Sequence, residues 1–290
     1  MKGIFVAAVT PFNNEQVDYK ALTENITKWC ETEISGIMIL GSTSEFVSLN
    51  YEEKVRIIAT ARDAIPAAKA MIVGIGSESV RETIKLGNSA TELGAEYTIV
   101  VNPHYYKPLL NENVLLKYFS SIADESNVPM LLYNIPKFSG INLSIDLITK
   151  LAGHKNIIGI KDSSGNLIQY TGLIGIPDFT VFSGDLTSFV QTTLMGIDGG
   201  IFAFANVVPQ EICDIFEMLK ENKTVEAMKK FLPILKLAGG SIGKYGFPGL
   251  KKLMEIIGFN PGDPRLPFTP VNSGQAGEIK KAYEDYSSKD

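Results

Sequence analysis

The chain has 290 residues, 45% of them hydrophobic, which is enough to bury a large core as one large domain or two small ones. Its net charge is −5 with no long basic or acidic block, which argues against a nucleic-acid or anionic-membrane partner. No apolar run approaches the roughly 20 residues that cross a bilayer, and the two histidines, His104 and His154, show neither HxH nor HExxH spacing, which disfavours a metal-dependent mechanism.

The opening stretch, MKGIFVAAVTPF, is too short and too soon broken by Pro11 to read as a signal peptide. Cys30 and Cys213 stand far apart, so they read as free thiols of a reducing cytoplasm and as small core side chains. The first apolar run is GIFVAAVT (3–10), followed by the helical pattern DYKALTENITKWCETE (18–33). GIMILG (36–41) comes next, and Asn50 then caps YEEKVRIIATARDA, which carries acids in its first turn. AMIVGIG (70–76) leads to a helix from Ser79 to Leu93, and YTIVVNP (97–103) to one from Asn111 to Glu125. PMLLYNIP (129–136) precedes a helix from Ser144 to Leu151, and NIIGIKD (156–162) one from Asn166 to Ile174. TVFSGD (180–185) and GGIFAFAN (199–206) are followed by helices from Leu186 to Met195 and from Pro209 to Glu221.

These runs are continuously apolar rather than alternating, as suits strands buried on both faces of a parallel sheet. Eight βα units predict an α/β fold, a closed (β/α)8 TIM barrel, with a doubly wound sheet as the competitor. From Thr224 onward no strand pattern recurs. Thr224 to Leu237 is amphipathic, Phe247-Pro248-Gly249 opens a helix that closes at Gly258, NPGDPRLPFTP is a turn segment, and 273–287 reads as a last helix. The predicted organisation is a barrel over 1–222 and a C-terminal helical extension over 223–290, packed on it as a single structural unit.

In a parallel barrel the carboxyl ends of all strands meet at one rim, where active sites sit. That rim would collect GSTSE (41–45), GIGS (74–77), NPHYYKP (102–108), YNIPKFSG (133–140), KDSSGN (161–166), SGD (183–185) and FAN (204–206). An apolar strand that ends on Lys161 raises the possibility of amine chemistry, with Tyr133 expected on the adjacent strand at similar height. Apolar surroundings favour a neutral lysine, whose free amine attacks a ketone to give a Schiff base. The resulting iminium is an electron sink that permits C–C cleavage or formation next to the former carbonyl, and a tyrosine hydroxyl can relay the accompanying protons. The competing reading for Lys161 is an ion pair with Asp162 or Asp185. GSTSE, with the hydroxyls of Ser42 and Thr43 and its backbone N–H groups, can cradle the carboxylate of a 2-oxo acid, or it can be an ordinary βα turn.

Taken in order, GSTSE, YYKP, YNIP, GIKDSSG, FPGLKKLMEIIG and PRLPFTP resemble the dihydrodipicolinate synthase and N-acetylneuraminate lyase superfamily, the pyruvate-type class I aldolases, over about residues 2–270. The resemblance implies that Lys161 forms the Schiff base, Tyr133 is the general acid/base, and Ser42 and Thr43 hold the carboxylate, with Ser42 also in the proton relay. It places Tyr105 where a tyrosine reaches into a neighbouring subunit's site, with Tyr106 as the alternative in the YY pair. A homo-oligomer, dimer or tetramer, follows. It gives Ile201 a backbone carbonyl on the pocket and Ser163 a place as in aldolases of hydroxylated or dicarboxylic oxo acids. No cofactor is implied beyond the covalent bond at Lys161.

Two departures stand out. Ser44 replaces the second glycine of the usual G-[ST]-T-G-E loop, which would strain the backbone if φ is positive there. Phe138 stands where the synthases of the lysine pathway carry an arginine for the second substrate's carboxylate, and Lys137 is expected to point elsewhere. The implied activity is therefore a lyase joining pyruvate to an aldehyde or reversing that, of 2-keto-3-deoxygluconate or 4-hydroxy-2-oxoglutarate type. The alternatives are 4-hydroxy-tetrahydrodipicolinate synthase, another Schiff-base dehydratase or N-acetylneuraminate lyase, and, from another class, a non-catalytic oxo-acid-binding barrel.

Overall fold

The computed structural model describes residues 1–288. Eight parallel strands close into a barrel: β1 (Gly3–Ala7), β2 (Gly36–Ile39), β3 (Ala70–Gly74), β4 (Tyr97–Val101), β5 (Met130–Asn134), β6 (Ile157–Asp162), β7 (Thr180–Ser183) and β8 (Gly199–Phe202). Each strand pairs with the next, and β8 returns to β1 with Ile201 opposite Phe5. Asn206 stitches that seam at the rim: its amide oxygen accepts from Val9 N at 3.2 Å and its amide nitrogen donates to the Ala7 carbonyl at 2.7 Å.

Successive side chains on a strand point to opposite faces. Phe5, Met38, Ile72, Leu131 and Phe182 therefore fill the barrel, Phe5 edge-on to Phe182 at 5.4 Å, while Ile4, Ile37, Met71, Leu132 and Ile160 pack in the layer beneath the helices. The same alternation sends Lys161 inward and Asp162 outward.

The connecting helices are α1 (Tyr19–Cys30), α2 (Tyr51–Ala64), α3 (Val80–Glu92), α4 (Glu112–Asp124), α5 (Ile145–Ala152), α6 (Leu167–Ile174), α7 (Phe189–Met195) and α8 (Pro209–Lys220). Polar side chains cap α1 to α6 and Pro209 opens α8; Asn50 and Glu53 exchange side-chain and backbone bonds at α2. The strands stop short of several predicted ends: β1 at Ala7, β7 at Ser183 and β8 at Phe202. The residues beyond belong to rim loops. The expected helix from Leu186 splits, because Asp185 accepts from Ser188 N at 3.0 Å and winds Leu186–Ser188 into a 3-10 turn before α7.

Beyond the barrel lie α9 (Thr224–Ala238), α10 (Lys244–Ile256) and α11 (Ser273–Ser287). A π-helical turn, Gly239–Gly243, joins α9 to α10. Gly246, at φ 64°, kinks the start of α10 before Pro248, a left-handed conformation that suits glycine. Trp29 of α1 stacks on Phe259 at 5.8 Å, which fixes the end of α10 to the barrel wall. Among the described residues no helix is long and apolar enough to cross a membrane.

Candidate active site at the carboxyl rim of the barrel

Tyr133 and Lys161 are direct partners in the β5–β6 ladder, and both point into the barrel. Lys161 Nζ lies 4.5 Å from the centre of the Tyr133 ring and 3.7 Å from Met38 Sδ, with Lys161 only 4% and Tyr133 only 5% exposed. Neither acid of the competing ion-pair reading reaches the amine. Asp162, on the outward face, accepts from Asn134 Nδ2 and Gln169 Nε2, both at 2.7 Å, and from Ser164 N at 2.9 Å. Asn142 closes a ring, accepting from Asn134 Nδ2 and donating to Gln169 Oε1, each at 2.8 Å. Tyr170 donates to the Asp162 carbonyl at 2.8 Å, and burial first, then the Asp162 charge, raises the pKa of its hydroxyl, which keeps it a donor. Asp185 is held by Thr187 Oγ1 and Ser188 N.

Above Lys161 opens a cavity of about 360 Å³. Ser42, Thr43, Tyr133, Lys161 and Ser163 line it from the rim, and Leu235, Ile242 and Phe247 close it from the extension. Ser163 Oγ is buried and has no hydrogen-bond partner. Gly184 makes room for it: a Cβ there would sit 2.0 Å from Ser163 Oγ and 2.8 Å from Lys161 Cε.

Ser42–Ser44 form a 3-10 turn, with a positive φ of 55° at Leu40 and again at Glu45 rather than at Ser44. The strain expected at Ser44 is therefore absent, and the side chain that replaces glycine serves as a tether: Ser44 Oγ donates to the Ala8 carbonyl at 2.6 Å. Glu45, which closes the turn, pairs with Lys251 of α10 at 2.6 Å, both side chains 2% exposed, and accepts from Arg265 N at 2.9 Å. The Arg265 guanidinium grips both carboxylate oxygens of Glu53, at 2.7 and 2.9 Å. That bond holds the Glu53 carboxyl below the usual carboxylate range.

The single helical turn Pro136–Ser139 after β5 brings Phe138 to the cavity, and Lys137 with it. Lys137 therefore does not point elsewhere, as the sequence suggested; the turn carries both residues onto the cavity wall. Phe138 also borders a second, more apolar cavity of about 260 Å³ lined by Phe46, His104 and Phe268. Tyr105 and Tyr106 pack edge to face at 5.0 Å, are mostly exposed, and line neither cavity. Ile201 is fully buried in the barrel interior, and it is Phe202 and Ala203 that reach the cavity wall. Sequence reasoning missed the wall supplied by the extension. The glycine-rich GGSIGKYG was its one signal, a helical stretch loosened where a ligand or backbone comes close.

The family model for the dihydrodipicolinate synthetase family matches residues 1–285. The chain belongs to this family. Its members are pyruvate-dependent lyases, and this chain is accordingly a carbon–carbon lyase on a TIM barrel. It is 31% identical to a 4-hydroxy-tetrahydrodipicolinate synthase of Methanosphaerula palustris, over 98% of this chain and 99% of the relative. It is 33% identical to a probable mitochondrial 4-hydroxy-2-oxoglutarate aldolase of Emericella nidulans, over 98% and 94% of the two chains. Among solved structures, a dihydrodipicolinate synthase superposes with a TM-score of 0.94 at 28% identity over 99% of both chains. YagE, a prophage protein of the family from E. coli solved with pyruvate, superposes at 0.93 with 27% identity over 99% and 98%.

Proposed function

We propose that the enzyme cleaves a 4-hydroxy-2-oxo acid to pyruvate and an aldehyde, or joins the two, through a Schiff base on Lys161. The observation that carries this reading is the in-register pairing of Tyr133 with Lys161 beneath a cavity shared with Ser42 and Thr43. The unprotonated Lys161 amine adds to the C2 carbonyl, and loss of water leaves an iminium. Tyr133 gives its proton to the hydroxyl that leaves the carbinolamine as water and, having become a phenolate in that step, takes the C4 hydroxyl proton. The C3–C4 bond then breaks, its electron pair passing into the enamine while the aldehyde departs. Protonation at C3 restores an iminium, and water releases pyruvate and the free amine. Ser42 and Thr43 hold the substrate carboxylate with hydroxyl and backbone dipoles, and Ser42 assists the proton relay. No cofactor enters these steps.

Three features favour a hydroxylated acceptor of the 2-keto-3-deoxygluconate or 4-hydroxy-2-oxoglutarate type. Ser163 lines the cavity with a buried hydroxyl that has no partner, Phe138 offers no guanidinium to a second carboxylate, and one relative is named as a 4-hydroxy-2-oxoglutarate aldolase. A second reading, 4-hydroxy-tetrahydrodipicolinate synthase, draws on the names of several relatives. The exposed apolar residues Val47, Tyr105, Tyr106 and Leu109 support a homo-oligomer in which Tyr105 reaches a partner's site.

The deciding experiment supplies pyruvate with glyceraldehyde, glyoxylate, N-acetylmannosamine or aspartate semialdehyde and follows condensation. Turnover with glyceraldehyde or glyoxylate is expected. Turnover with aspartate semialdehyde alone would transfer the assignment to the synthase, and turnover with none despite pyruvate binding would make the barrel a sensor.

A further inference from the structure

The loop assigned to the substrate carboxylate does not stand on the barrel alone. Glu45 ends it in a left-handed conformation, its N–H returning to the Ser42 carbonyl at 3.2 Å, so the placement of Glu45 sets the placement of Ser42 and Thr43. Its carboxylate meets Lys251, which comes from α10 far along the chain. The ammonium also donates to the Thr10 carbonyl beyond β1 and to the Asp263 carbonyl, both at 2.9 Å, and lies 4.7 Å from the centre of the Phe12 ring. The ammonium thus has three oxygens within 3 Å, two of them accepting hydrogen bonds from it. A buried ion pair of this kind is poor evidence of a stability gain, because desolvating both ions offsets their attraction. What it does supply is geometry: one charged atom fixes the end of β1, the loop after β2 and the segment after α10 to a common point. The segment between α9 and α10, just before Lys251, is also the part of the extension that walls the cavity.

We infer that Glu45 and Lys251 are positioning residues for the 2-oxo acid, an internal latch by which the C-terminal extension sets the carboxylate-binding loop. This rests on the Schiff-base reading. The latch acts on substrate affinity, while the Lys161–Tyr133 pair, held by the barrel's own ladder, sets the chemical step.

The test compares wild type, Lys251→Met, the neutral double variant Glu45→Gln/Lys251→Met and, as a control on the same helix, Lys244→Met, whose partner Glu278 is on the surface. Borohydride trapping on Lys161 is measured against pyruvate concentration, alongside melting temperature. Lys251→Met is expected to melt lower, because it leaves an uncompensated buried carboxylate. The double variant removes that charge and is expected to recover most of the melting temperature while half-saturation for pyruvate stays about 10- to 100-fold above wild type. The trapping rate at saturating pyruvate is expected to stay within a few-fold of wild type. Lys244→Met is expected to leave both readouts unchanged. Half-saturation at the wild-type value in the folded double variant overturns the latch, as does a loss confined to the saturated rate. Failure of wild type itself to form an adduct would instead overturn the Schiff-base reading beneath it.

Discussion

Two fully buried carboxylates flank the site, and they are satisfied in opposite ways. Asp162 sits directly after Lys161 and takes its bonds from neutral groups, the amides of Asn134 and Gln169 and the backbone and hydroxyl of Ser164. Every one of these partners lies on β5, β6 or the loop and helix that follow. Glu45 sits directly after the Ser42–Ser44 turn and takes its charge partner from α10. The lysine side of the site is thus held locally, by the barrel, whereas the carboxylate-cradling side is held from a distance, by the extension. Local bonding to neutral donors makes a stiff platform for covalent chemistry, and the long-range ion pair makes the neighbouring loop answer to how the extension is seated.

Substitutions on the lysine side are expected to abolish chemistry and to leave the fold standing. Lys161→Ala removes the nucleophile and is expected to lower turnover by about 10⁴-fold or more, since groups acting as a unit lose nearly all their effect together. Tyr133→Phe keeps the ring against Lys161 and removes only the proton relay, so kcat is expected to fall roughly 10²- to 10⁴-fold with pyruvate half-saturation nearly constant. Equal losses in kcat and affinity would blur the division between the two sides.

Asp162→Ala strikes the platform instead of the chemistry. It leaves the buried amides of Asn134 and Gln169 without their acceptor, at a cost of about 3 kcal/mol, which a calorimetric scan would register as a drop of roughly 5 °C in Tm. A change within 2 °C would mean that the ring contributes little. The smallest expected effect lies on the extension side and is set by pH. The Glu53 carboxyl is depressed chiefly by its bond to Arg265, so its contribution to stability is complete above the unfolded value of about 4.3 and is lost as pH falls through the folded value. Wild type is therefore expected to lose more stability between about pH 5 and 3 than Arg265→Met does. Parallel pH profiles would remove Glu53–Arg265 from the account.

The platform was legible in the sequence for a physical reason. Strands buried on both faces leave continuous apolar runs, and the runs ending on YNIP and GIKD put Tyr133 and Lys161 at one height before any coordinates are considered. The outward Asp162 ring also follows from strand alternation, although Asn142 and Gln169 come from loop and helix positions whose reach the pattern does not specify. The latch was illegible. An amphipathic helix announces which face it buries but not against what, so Lys251 in GLKKLM gives no sign of meeting Glu45. The concern over Ser44 failed similarly: loop length does not say which residue takes the positive φ, and Glu45 takes it. Lys137 was misplaced because the sequence does not announce the single helical turn after Ile135 that brings it to the cavity with Phe138.

The central claim is tested most directly by reducing the enzyme with borohydride in the presence of pyruvate and mapping the modified peptide by mass spectrometry. The expected result is one pyruvyl adduct per chain, located on Lys161 and absent from Lys161→Ala. An unmodified Lys161, or an adduct on Lys137 or any other lysine in its place, would contradict the account.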